Sequence, residues 1–335
     1  MNIKTIARQA GVSPATVSLV LNNKAGVSDE RRREIQALLD QYGYVRKGSG
    51  KGGVSVLLVK YLTHGTVVEH NGDFINQVLG GLEAEVDELK VKLTTRTIFG
   101  SNYDSILGSF RTGEFHGAII VATEMDQSFV KELANTPIPV VALDNTMEGV
   151  EVDSVVMDNR GGVFAAVQHL VDRGHRRIGF IKSKLQVSNF EMRFQGYLNA
   201  LRANGIKYNA DYVFEVMPTM GGSYEDMLDQ IAQRPELPTA FFASNDLMGV
   251  GLIKALKKRE YAVPDQVSVI GFDDLHFCTV SEPMLSTMAV PKEAMGRLAV
   301  RRIHERITRG GGHDCVKTML FPRLIERESV RDLTQ

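Results

Sequence analysis

The sequence lacks most of the features that would place a chain in a membrane, outside the cell or among enzymes with a local motif. No apolar run approaches the length of a membrane-spanning helix. Residues 1–10 carry Lys4 and Arg8 but no apolar core of a secretion signal. The two cysteines, Cys278 and Cys315, lie far apart and form no CxxC pair, as expected of buried thiols in a reducing compartment, so the expected location is the cytoplasm. The eight histidines show no metal-ligand spacing: HExxH is absent, and His64 and His70, six apart, miss a common helix face. Neither a GxGxxG fingerprint nor a GxSxG elbow occurs, and the near miss "GVGLIK" at 249–254 reads as helix packing. No metal and no cofactor is expected.

What is present is an ordinary soluble composition with an uneven charge. Apolar residues make up 43% and charged residues 24% of 335, long enough for two or three domains. Residues 1–51 hold nine Lys and Arg against four acids, a net of +5, while the remainder carries −6. A small basic head on an acidic body points to a polyanion as the partner of the head.

Three short helices precede residue 45. Asn2 can cap the first and Gly11 stops it. Ser13 caps the second, with Pro14 at the first helical position, where its missing N–H costs nothing; Val17, Val20 and Leu21 face inward. Ser28 caps the third, Asp29 and Glu30 favour its first turn, and Gly43 stops it. Ile35, Leu38, Leu39 and Tyr42 form one buried stripe. Two helices joined by the turn Gly11-Val12-Ser13 make a helix-turn-helix, which lays its second helix in a DNA major groove.

The strings "TIARQAGVSPATVSLVLNN" and "VSDERRREIQALLDQYGYV" resemble the DNA-binding head of the LacI/GalR repressors over nearly all of residues 2–45. The resemblance implies base-reading side chains at Pro14, Ala15 and Leu19, which here offer only apolar contact suited to a thymine methyl. Ser13, Thr16 and Ser18 supply polar groups near the groove, and Asn22, Arg31, Arg32 and Tyr44 match positions that hold phosphates. Family members continue with a Pro-Asn-Ala-Ala-Arg-Ser-Leu type hinge helix; this chain has "RKGSGKGG" at 46–53 instead. Those glycines surround Lys51 in a way that suggests a phosphate loop, but they precede a strand-like run rather than follow one, so the stretch reads as a linker. Four glycines and no Leu oppose a helix, and a flexible linker is expected, with Lys47 and Lys51 free to touch phosphates.

Beyond the linker, strand-like runs at 54–59, 93–98, 118–121, 140–143, 177–181, 240–243 and 267–270 alternate with amphipathic stretches such as 74–89 and 161–173. Such alternation means parallel sheets covered by helices. "IPVVALDN", "VVMDNRGGVFAAVQHLVDRGHRRIGFI", "PTAFFASNDLMGVGLIKAL" and "VSVIGFDDL" resemble the effector domain of the same family, whose fold is that of a type I periplasmic sugar-binding protein. The expected fold class is therefore a small all-α helix-turn-helix head (1–45), the linker (46–53) and an α/β body (54–335) of two parallel-sheet subdomains. The resemblance implies subdomains of about 54–156 with 286–315, and 157–285 with 316–330. The weakest match is "KYLTHGTVVEHNGD", longer than usual after the first strand.

Ligands of α/β sheets bind beyond the carboxyl ends of strands, where Asp144 and Asp246 fall. The resemblance assigns effector contacts to Arg193 and Asp246 and pocket-lining positions to Asp73 and Phe74; Asp273 and Asp274 read as turn residues. Acidic groups with one guanidinium and one aromatic ring favour a neutral polyol, a sugar, over an anion. The expected function is that of a regulator, a repressor of transcription, that binds a palindromic operator as a homodimer and answers to a sugar effector. A solute-binding protein would need a secretion signal and no head; an α/β enzyme would be revealed by turnover of a bound sugar.

Overall fold

The computed structural model describes residues 3–21, 26–41, 53–100, 103–125, 127–234, 236–309 and 314–334. The head consists of α1 (Ile3–Gln9), α2 (Pro14–Leu21) and α3 (Asp29–Gln41). Gly11 closes α1 at φ +63°, a conformation that costs glycine little. Ser13 Oγ accepts the Thr16 N–H at 3.1 Å, the cap expected for α2. Ile6, Ala7, Val17, Val20, Ile35 and Leu39 form the core of the head, with Leu38 packed against it. Asn2, Asn22, Tyr42, Gly43, Tyr44, Lys47 and Lys51, with the linker through residue 52, lie outside the described residues.

The body opens with β1 (Ser55–Leu62), α4 (Thr66–His70), α5 (Gly72–Leu89), β2 (Lys92–Phe99), α6 (Tyr103–Arg111), β3 (Gly117–Val121), α7 (Gln127–Leu133), β4 (Val140–Leu143) and β5 (Asp153–Met157). It continues through α8 (Asn159–Asp172), β6 (Ile178–Ser183), α9 (Ser188–Ala203), β7 (Val213–Val216), α10 (Met220–Ala232), β8 (Ala240–Ala243), α11 (Asp246–Lys258) and β9 (Ser268–Ile270). α12 (Phe277–Val280), β10 (Thr287–Ala289), α13 (Lys292–Arg309), β11 (Lys317–Leu320) and β12 (Arg323–Ile325) follow.

Two parallel sheets result. The first has the order β11-β5-β4-β3-β1-β2 and the second β7-β6-β8-β9, while β10 and β12 pair antiparallel beside the second. All five residues of β3 are buried and β4 is buried throughout, as parallel strands covered on both faces require. In the first subdomain α5 and α13 meet at two glycines: a Cβ on Gly81 would fall 2.0 Å from the Glu293 carbonyl oxygen, and one on Gly296 2.1 Å from that of Val78. Arg301 on α13 clamps the buried Glu85 carboxylate of α5 with Nε at 2.7 Å and a second nitrogen at 3.0 Å.

Two boundaries differ from the expectation. β10, expected in the first subdomain, pairs with β12 and is bridged to the second sheet at Ile270–Ser286 and Asp273–Ala289. Residues 317–320 do not join the second subdomain; β11 pairs with β5 and extends the first sheet. Asp153 fixes this pairing by accepting the Val316 N–H at 2.7 Å, a contact between residues 163 apart that no local pattern reports. The final crossing of the chain therefore falls between β11 and β12.

Candidate functional site

In the head, Pro14 and Ala15 are exposed and Thr16, Ser18 and Leu19 half-buried on α2, whose Val17 and Val20 are buried. Thr16 is drawn toward the helix start, its Oγ1 lying 2.9 Å from Ser13 Oγ. Arg31 is exposed and pairs with Glu34 at 2.7 Å; Arg32 is half-buried on the same helix. The exposed row on α2 is thus apolar except for its hydroxyls, as the sequence implies.

In the body, the strand ends of the two subdomains face each other and enclose a buried polar network. Asp144 follows β4 with φ at +65°, and its carboxylate accepts Thr123 Oγ1 at 2.6 Å and Asn189 Nδ2, from the other subdomain, at 2.9 Å. Asn189 in turn accepts from Asn159 Nδ2 at 3.0 Å, and Asn159 accepts from Arg193 Nε at 2.8 Å. Arg193 donates to Asp273 Oδ1 at 3.0 Å and to the Ser244 carbonyl, while Phe272 lies under its guanidinium, 4.0 Å from ring centre to Cζ. A guanidinium stacked on a ring and bonded to a carboxylate is held in one orientation. Lys292, also buried, donates to the Asp273 main-chain carbonyl.

Burial pushes the Asp144 carboxyl up to about 6 against the opposing pull of Thr123, Arg193 and Asn189. Burial likewise raises Asp273, with Arg193 and Lys292 opposing. These groups, with Phe74, Phe190, Asn71 and Asn245, bound an inner cavity of about 20 Å³. Space of that size holds a single water and no sugar ring. It lies beside an outer cleft of about 750 Å³ between the subdomains, the size of a small-molecule site.

Of the residues expected here, Phe74, Asp144 and Arg193 line the inner cavity, and Asp73 and Asp246 do not. Asp246 is fully buried, and its carboxylate accepts Thr287 Oγ1 at 2.6 Å and the Leu275 N–H at 2.8 Å. Burial and the nearby Asp273 push Asp246 up to about 7. Asp73 spends its carboxylate on the His276 N–H of the other subdomain at 2.9 Å. Asp273, expected only as a turn residue, lines the inner cavity and pairs with Arg193. The strand-end rule that selected Asp144 also selects Asp273, but its doublet with Asp274 reads locally as a turn. Both do adopt positive φ, +113° and +56°.

The long segment after β1 is built around one carboxylate. Glu124 accepts the main-chain N–H groups of Thr63, His64 and Gly65 on one oxygen and of Val67 and Val68 on the other, at 2.8–3.2 Å. Burial raises the Glu124 carboxyl and these N–H groups more than offset it, holding it below its usual range. Val67 then reaches across to join the apolar core of the second subdomain. No local pattern marks Glu124, because its partners are main-chain groups 56–61 positions away.

The comparisons bear on both parts. Residues 2–47 match the profile of bacterial regulatory proteins of the lacI family, and residues 167–330 that of periplasmic binding protein-like domains. The transcriptional regulator GalS of Salmonella typhimurium is 30% identical over 342 residues, with 98% of this chain and 96% of that protein covered. The chain belongs to the lacI family. Among other members, the ribose operon repressor of Haemophilus influenzae is 28% identical over 99% of both chains. A solved transcriptional regulator CelR–cellobiose complex superposes on this lacI-family chain with TM-score 0.73 and 27% identity over 98% of it. The chain is thus a regulator of the lacI family, a family of regulatory proteins rather than enzymes, with α1–α3 as its family head and the two-sheet body as its binding-protein-like domain.

Proposed function

We propose that this lacI-family chain is a cytoplasmic repressor that binds a palindromic operator as a homodimer through α2 and is controlled by a neutral sugar bound between the two subdomains. The observation that carries the effector reading is the bond from Asn189 to Asp144 across the cleft, continued through Asn159 to Arg193 and Asp273. Carboxylates, amides and one guanidinium alternate there beside Phe74 and Phe190, which is the chemistry of hydroxyl recognition on an apolar ring face. An inner cavity of about 20 Å³ means that a sugar enters by parting the subdomains and takes over the bonds they make to each other. A ligand with that requirement couples its own binding to the angle between subdomains. Ser13, Pro14, Ala15, Thr16, Ser18 and Leu19 face the groove in this reading, with Asn22, Arg31, Arg32, Tyr44, Lys47 and Lys51 along the phosphates. The CelR–cellobiose relative supports a sugar in such a cleft.

Thermal unfolding in a panel of sugars, nucleosides and purines tests the effector. A ligand at 100 times its Kd adds about 2.7 kcal/mol of stability. A shift with sugars that Asp273→Asn removes supports the reading; shifts with purines alone reject it. Deleting residues 1–45 should abolish operator binding and leave that shift intact.

A further inference from the structure

Val67 belongs to both subdomains at once. Its main chain is bound to the first: Glu124, just beyond β3, accepts the Val67 N–H at 2.8 Å and also gathers the N–H groups of Thr63, His64, Gly65 and Val68. The Glu124 carbonyl accepts the Thr63 hydroxyl at 2.6 Å, and Gly65 turns the chain at φ +73°, a conformation glycine adopts at little cost. Its side chain is bound to the second: Val67 is 7% exposed, in a core whose other buried members all lie between Ile181 and Leu285. When the subdomains part, a residue tied in this way has to leave one of them. The five N–H groups on one carboxylate make the first anchor the stronger, so the apolar contact is the one that breaks.

A second tie follows six residues later. Asp73, half-buried at the start of α5, accepts the His276 N–H of the second subdomain at 2.9 Å. Both ties are made by the chain's own residues. Burial of one valine side chain alone favours closure by about tenfold or more. Val67 also lines the inner cavity with Asn71 and Phe74, so the segment that closes the body stands in the space between its subdomains.

We propose that residues 63–73 are a strap by which the chain closes its own two subdomains, and that a molecule entering the inner cleft must first withdraw Val67 from the second subdomain. The closure stands on the geometry alone; the competition rests on the reading of the cleft as the effector site.

Pulsed dipolar spectroscopy on the full chain tests the closure. Nitroxides are placed at the exposed Glu148 and Gln186, which line the outer cleft from the first and the second subdomain, in a Cys315→Ser background diluted with unlabelled chains. The parent should give one narrow distance, and Val67→Ser and Asp73→Ala should each add a longer one. A parent already spread over long distances, or two folded variants that keep the single short distance, overturns the strap and leaves Val67 as core filling. Should Val67→Ser not fold, Asp73→Ala decides alone. Calorimetric titration with ribose, glucose, galactose and cellobiose tests the competition. Asp73 does not line the inner cavity, so Asp73→Ala should bind any of these that the parent binds about three- to tenfold more tightly, because the open fraction rises. Equal or weaker binding by a variant whose distances have lengthened overturns the competition. If none of the four binds, the sugar reading falls and the competition with it, while the distances still decide the closure.

Discussion

Arg193 and Asp273 form an ion pair at 3.0 Å with side chains only 4% and 3% exposed. Two charges so buried are stable only together, because either alone would sit desolvated and uncompensated. Arg193→Met and Asp273→Asn should each cost about 3–5 kcal/mol of unfolding free energy. The double replacement Arg193→Met with Asp273→Asn should cost less than the two added. Chemical denaturation of the four proteins measures this, and strict additivity would contradict a coupled pair.

The buried carboxyls give stability a definite slope with pH. Asp144 and Asp246 are pushed up by burial to about 6 and about 7, against about 3.9 in an unfolded chain. Between those values the folded protein holds more protons than the unfolded one, so their contribution is complete below about pH 4 and is lost as pH rises through 6 and 7. Glu124 acts in the opposite sense: its carboxyl is lowered, and its stabilisation is lost as pH falls through the acid range. Asp246→Asn should therefore flatten the decline in denaturation midpoint between about pH 4 and 7. An unaltered slope would remove Asp246 as its source.

Glu124→Gln keeps the shape of the side chain but replaces one acceptor oxygen by an NH₂ that faces main-chain donors. Loss of charge-assisted bonds and a donor–donor clash together should cost roughly 2–4 kcal/mol. Hydrogen exchange localises the effect: the amides of residues 63–68 should exchange much faster while those of the head are unchanged. Uniform acceleration throughout the body would mean that Glu124 supports the subdomain generally, not this segment.

On the head, the reading assigns opposite roles to two half-buried residues. Arg32→Ala should weaken binding to all DNA sequences and reduce the salt slope by about 1, whereas Leu19→Ala should change base preference and leave the slope as it is. Binding measured at several salt concentrations on a randomised operator library separates the two. A change of base preference on losing Arg32, with the slope intact, would exchange their roles.

The sequence by itself determined what depends on neighbours along the chain. Caps at Ser13, the stop at Gly11, the buried stripe on α3 and the short apolar runs of the sheets are local, and the structure agrees with each within a few residues. Its strand-like runs did not include β5, β7, β10, β11 or β12, short runs that carry no flanking signal strong enough to separate them from loops.

Only the tertiary structure decided what depends on distant partners. It placed β11 on the first sheet through Asp153, paired Arg193 with Asp273, a residue the sequence marks only as a turn, and turned a long segment after β1 into a wall through Glu124. Asp246 and Asp273 are both carboxylates that follow a strand, each three residues beyond its end. Which one faces a guanidinium and which one a threonine is set by residues 80 and 41 positions away. Side-chain chemistry is written in the sequence, but the electrostatic environment that gives it a role is made by packing, and packing joins residues that the chain keeps apart.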